Sequence, residues 1–134
     1  MTLRDKLLFA LFGFVFWILG TIWYQARGAR VFETTSLRFW INFVLTPILA
    51  AAVCIDIVNW RHVPSAEWAS AALLIALPGM FGEAVLLSCF ARFMPRMCPE
   101  TAGKYGAFLF ASYALFLTLA EMVTVRAASG PVAR

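Results

Sequence analysis

Charge is scarce in this chain. Charged residues make up 13% of it, against about 25% in an ordinary soluble domain. His62 is the only histidine, which excludes multi-histidine metal sites and Ser-His-Asp catalysis within one chain. The three cysteines, Cys54, Cys89 and Cys98, form no CxxC pair. One of them must stay unpaired in any intramolecular scheme, so they read as small hydrophobes or a free loop thiol instead of a disulfide framework. No Gly-rich phosphate loop occurs. No nucleophile-base pair is visible either, so neither enzymatic activity nor a cofactor is expected. The formal net charge of +4 is modest. Its basic residues sit almost entirely between apolar segments, as membrane-flanking residues do, and this argues against a nucleic-acid face.

What the chain has in excess is apolar surface. Hydrophobic residues reach 63% of 134 residues, against roughly 45–50% in a soluble domain. A soluble fold of this size could not hide so much, so the bilayer is the expected partner. A membrane core about 30 Å thick needs about 20 residues of helix. Four segments meet that need: 7–24, 39–60, 68–91 and 105–125. The third is broken only by Glu83 and the fourth only by Glu121. The expected fold is all-α: one membrane domain over 1–134, a four-helix transmembrane bundle running up-down-up-down.

The segment ends carry supporting signals. Trp23 and Tyr24 close the first, Trp40 opens the second and Trp60 closes it, Trp68 opens the third, and Tyr105 opens the fourth. Such amphipathic rings collect at headgroup level. Thr35 or Ser36 suits a helix N-cap, Pro64-Ser65 suits the third start, and Pro99-Glu100 suits the first turn of the fourth. Arg4 and Lys6 before an apolar run resemble a signal peptide. Ala26-Arg27-Gly28 is a poor cleavage site, however, and a bulky 18-residue run fits a retained span.

Orientation is not decided by charge. The side of the termini holds Arg4, Lys6, Arg61, Arg126 and Arg134, and the other side Arg27, Arg30, Arg38, Arg92, Arg96 and Lys104. The positive-inside rule therefore gives near balance. Either the arginines of the longer loops dominate, with termini outside, or the chain inserts both ways. Asp56 and Glu121 lie shallow, where Arg61 and Arg126 can snorkel towards them. Met94, Met97 and Cys98 form a sulfur-rich loop, but Pro95 and Pro99 stiffen it, and the methionines read as apolar filler instead of metal ligands.

Glu83 is the deepest charged position. It lies about 15 residues beyond Trp68, roughly 22 Å along the helix. An ionisable group at that depth is a functional hypothesis by default. Counting inwards puts Gly20 and Thr21, Thr46 and Pro47, and Ser112 and Tyr113 at the same level. The candidate proton or ion site is therefore Glu83 with Thr46, Ser112 and Tyr113. Pro78 and Pro47 each free a backbone carbonyl that can add to such a site. The competing reading keeps Glu83 protonated, as a structural donor to Tyr113 or Thr46.

Helical spacing gives three candidate interior seams. Ala72, Ala76, Gly79 and Glu83 share one face of the third helix. Gly13, Trp17 and Gly20 share one on the first, and Asn42, Thr46, Val53 and Asp56 one on the second. Gly13, Gly20, Ala72, Ala76 and Gly79 are the expected helix-packing positions, since small residues let helices approach closely in lipid.

The stretches PGMFGEAVLL (Pro78 to Leu87) and MPRMCPETAGKYGAFLFASYAL (Met94 to Leu115) resemble a bacterial family of small four-helix membrane proteins of unknown function. Its members often carry an acidic residue after the central Pro-Gly, and Glu83 matches that position. The resemblance implies an integral protein of the bacterial cytoplasmic membrane and brings no activity or substrate. The leading expectation is a small transporter-like or ion-coupled protein, homo-oligomeric because four helices enclose little pathway. The alternative is a non-catalytic subunit of a larger membrane complex, with the small-residue seams as its docking surfaces.

Overall fold

The computed structural model describes residues 1–129; Arg134, counted above among the basic residues, lies outside them. Four helices are long and apolar enough to cross a membrane. The first, α1, runs Leu3–Phe32 and α2 runs Ser36–Trp60. After a 3₁₀ turn at Ser65–Glu67, α3 runs Trp68–Ser88. A single turn, α4, spans Phe90–Phe93, and a second 3₁₀ turn at Pro99–Thr101 leads into α5, Ala102–Ala128.

Local chemistry sets these limits. Thr2 caps α1 in a reciprocal box: its hydroxyl accepts from the Asp5 amide at 3.2 Å while its own amide donates to the Asp5 carboxylate at 3.0 Å. Thr35 caps α2 by accepting from the Arg38 amide. The third helix ends at Ser88, short of the expected Ala91. Ser88 donates to the Ala84 carbonyl at 2.6 Å, a back-bond that bends helices, and Cys89 leaves the helical region at φ −127°, ψ 41°. The first helix overruns its expected end by two turns. Gln25 donates to the Phe93 carbonyl and Gly28 packs on Met97, so α4 and the loop after it cover the extension.

The end of α2 is a Schellman motif. Val63 donates to the Val58 carbonyl at 3.3 Å and His62 to the Asn59 carbonyl at 2.8 Å, with Val58 and Val63 both buried. The residue in the left-handed position is His62, at φ 51°. A β-carbon is disfavoured there. His62→Gly is therefore expected to stabilise the protein by about 1 kcal/mol, read as a raised thermal midpoint in detergent. An unchanged or lowered midpoint would mean the imidazole makes a compensating contact.

The helices are arranged with α1 against α3, α3 against α5 and α5 against α2. The seam between α1 and α2 is the sparse one of the four sides. The fullest contact, α1 with α3, is thus between parallel helices that are not consecutive in sequence, and α2 with α5 is a second parallel pair. Thr124 on α5 accepts from the Ala69 amide at the start of α3. Glu33, at the end of α1, accepts from the Cys98 amide and the Thr101 hydroxyl just before α5. A carboxylate there faces the positive end of the helix dipole.

Two apolar cores fill the bundle. One, towards the start of α1, gathers Phe9, Cys54, Val58, Ile75 and Phe116. The other, at the far end, gathers Tyr24, Phe32, Leu86, Met94, Tyr105 and Phe108. Its rings meet edge to face or tilted, with Tyr24, Phe32, Tyr105 and Phe108 at centroid distances of 5.5–6.4 Å. This corrects the reading of the span ends. Trp23, Trp40 and Trp60 are exposed, as belt residues are, but Tyr24 and Tyr105 belong to the core. Met94 and Met97 are also core, and Cys98 is exposed.

The seam expected on α2 needs correction too. Val53 and Asp56 face outwards, and the interior line is Asn42, Thr46, Ala50, Cys54 and Val58. Each step is four residues, so the line drifts about 40° per step around the helix. A face drawn straight along the axis loses it after two turns. The shallow acids do not pair as expected either. Among the described residues the ion pairs are Arg61 with Asp5, at 2.5 Å, and the Met1 amine with Glu67. The first links the end of α2 to the start of α1 on one side of the membrane. Asp56 and Glu121 are exposed without such partners.

Candidate functional site

Glu83 sits where small residues on α3 let other helices come close. Ala72, Ala76 and Gly79, one to three turns earlier, are buried. A β-carbon on Gly79 would meet the Tyr113 hydroxyl, and one on Gly82 would meet the Trp17 indole. Absence of side chains at both positions brings α1 and α5 against the turn that carries Glu83. The glutamate itself is 6% exposed.

Its carboxyl lines a cavity of about 460 Å³ between the two apolar cores. Thr46, Ser112 and Tyr113 line the same cavity, from α2 and α5. The hydrogen bonds differ from those expected. Thr46 donates to the Asn42 side-chain oxygen at 2.9 Å. Ser112 donates to the Phe108 carbonyl, one turn back, at 2.8 Å. Short hydroxyls in a helix commonly satisfy themselves this way. Glu83 faces Trp17 and Tyr105 instead. One oxygen of its carboxyl, Oε2, has no hydrogen-bond partner.

Other polar groups around the cavity share that condition. The Trp17 indole N–H, the Thr21 hydroxyl and the Asn42 side-chain amide nitrogen are buried and unpartnered. Asn42 is half committed: its oxygen accepts from both Tyr24 and Thr46, each at 2.9 Å. Buried polar groups are nearly always paired, so such a cluster calls for an explanation. Sequence spacing missed Tyr105 and Tyr24 here because both stand at span ends and read as headgroup anchors.

The prolines contribute shape, not ligands. Pro78 leaves the Leu74 carbonyl without its helical donor, and Pro47 does so for Phe43. Neither Leu74 nor Phe43 lines the cavity. Among the described residues no three or more His, Cys, Asp or Glu side chains are grouped to hold a metal ion.

The packing positions separate into used and unused. A β-carbon on Gly13 would fall on the Ile75 backbone, so α1 and α3 touch there main chain to main chain. Gly20 has open space where its β-carbon would stand. Gly20 thus makes no close helix approach and borders the cavity. Gly13, Ala72, Ala76 and Gly79 are buried in contacts within the bundle.

The model of a family of unknown function, DUF5367, matches residues 31–127, and the chain belongs to that family. The stretches 78–87 and 94–115 that carried the resemblance fall within the match. No curated protein and no solved structure matches the chain.

Proposed function

We propose that this multi-pass membrane protein is a small ion- or proton-coupled transporter in which Glu83 is the titrating group. The observation that carries the reading is Glu83, 6% exposed, which lines a cavity of about 460 Å³ and has a carboxyl oxygen without a hydrogen-bond partner. A purely structural acid would be expected to have its bonding capacity met. A cavity beside it supplies room for something to bind and leave. Four helices leave little pathway of their own, so the working unit is a homo-oligomer.

The test is an infrared pH titration of the carboxyl stretch in lipid, wild type against Glu83→Gln. A band missing from the variant that titrates reversibly while the protein stays folded supports the reading. A band that stays protonated throughout makes Glu83 a structural donor. The search would then turn to a larger membrane complex in which this chain is an accessory subunit.

A further inference from the structure

We infer that the cavity beside Glu83 takes a lipophilic organic cation, which reaches it sideways from the bilayer between α1 and α2. The inference rests on Glu83 being the titrating group and adds the class of ligand.

Charge decides the sign. Glu83 is the one carboxyl lining the cavity, and no lysine, arginine or histidine lines it. The other titratable groups facing it are Tyr24 from α1, Cys54 from α2, and Tyr105 and Tyr113 from α5. None of these carries positive charge in any protonation state. The site is therefore neutral or negative. It repels anions and attracts cations when Glu83 is ionised.

Size and lining decide the kind of cation. A bare metal ion of the calcium type needs about six or more oxygen ligands. Here Glu83 is the single carboxylate, and among the described residues no three or more His, Cys, Asp or Glu side chains are grouped to hold such an ion. A volume of about 460 Å³ lies within the roughly 300–1,000 Å³ of small-molecule sites. The walls are aromatic, with Trp17, Tyr24, Tyr105, Phe108, Tyr113 and Phe116 among them. Ring faces attract cations and bury an apolar body together.

The path follows from the sparse seam. Gly20 faces open space. Phe16 and Trp23 line the cavity and are also 38% and 58% exposed. The cavity therefore reaches the outer surface of the bundle beside α1, within the apolar span. A permanent cation that binds the protonated site pairs with the carboxylate and releases its proton to the solution. One cation is exchanged for one proton.

The probe is tetraphenylphosphonium, with the purified full chain in detergent. Saturable binding is expected by equilibrium dialysis, with proton release in unbuffered solution. Affinity should fall by about tenfold per pH unit on acidification once the free carboxyl holds its proton. Glu83→Gln should weaken binding by about 30-fold or more, with helicity by circular dichroism unchanged. Gly20→Trp, placed in open space, should slow association by about tenfold while the carboxyl band still titrates. Should Glu83→Gln fail to fold, the pH dependence of the wild type and Gly20→Trp carry the test. Equal binding by Glu83→Gln, or binding indifferent to pH, would overturn the ligand class. An unchanged association rate in Gly20→Trp would overturn the lateral path. A titrating carboxyl band without tetraphenylphosphonium binding rejects the cation and leaves the transporter reading standing. A band that never titrates rejects both.

Discussion

Replacing Gly13 with leucine is expected to separate α1 from α3 and to lose the folded protein in mild detergent. The β-carbon alone would overlap the carbonyl oxygen of Ile75. That obstacle is backbone, so no rotamer change relieves it, and the helices must part. Overpacking of a tight contact costs about 3 kcal/mol or more when nothing can yield. In lipid the loss is sharper in kind, because helix association there depends on close packing instead of the hydrophobic effect. Gly20→Leu is the control on the same helix. It enters open space and should shift the thermal midpoint by no more than a few degrees, on the order of 0.5 kcal/mol. Size-exclusion chromatography and thermal melts of the two variants make the comparison. A Gly13→Leu protein as stable as wild type would mean that α1 and α3 do not cross at that point.

The contrast between these glycines shows what could be read from sequence. Hydropathy located the four helices, because a span in lipid must be long, apolar and internally hydrogen-bonded. Glu83 stood out because a charge in an apolar run is costly. The face of Ala72, Ala76, Gly79 and Glu83 could be drawn because α3 keeps its small residues on one side. Which helix each face meets could not. The parallel pairing of α1 with α3 joins Gly13 to Ile75, 62 positions apart, and no local pattern encodes that. Gly13 and Gly20 look alike as letters seven apart, yet only one lies at the crossing point.

The partners of Glu83 were the least legible part. Depth counting placed Thr46, Ser112 and Tyr113 around the right cavity, because rise per residue is fixed. It could not assign their hydrogen bonds. A helical serine or threonine has its own preceding carbonyl within reach, and Ser112 uses it. Thr46 finds Asn42 one turn before it. Trp17 and Tyr105 face the carboxyl because Gly82 makes room for the one and the aromatic cluster fixes the other. These are consequences of packing, which sequence spacing does not contain.

Glu83→Leu is expected to stabilise the bundle by about 1–3 kcal/mol, and Glu83→Gln to leave it near wild type. The wild-type carboxyl has an oxygen without a partner, held among aromatic and aliphatic walls. A buried polar group in that state costs free energy, and an apolar side chain of similar length removes the cost. Glutamine keeps the size, and its carbonyl oxygen can still accept from the unpaired N–H groups nearby. The structural-donor reading requires the opposite order. If the protonated carboxyl braced the bundle, leucine would lower the thermal midpoint and glutamine would partly preserve it. Thermal melts of the three proteins in one detergent distinguish the two. A leucine variant that melts higher yet no longer binds tetraphenylphosphonium would place the cost of the buried acid on the side of function, since stability gained at a binding site commonly accompanies lost activity. A leucine variant that melts lower would return Glu83 to the architecture of the bundle, and the cavity would then be a by-product of packing around it.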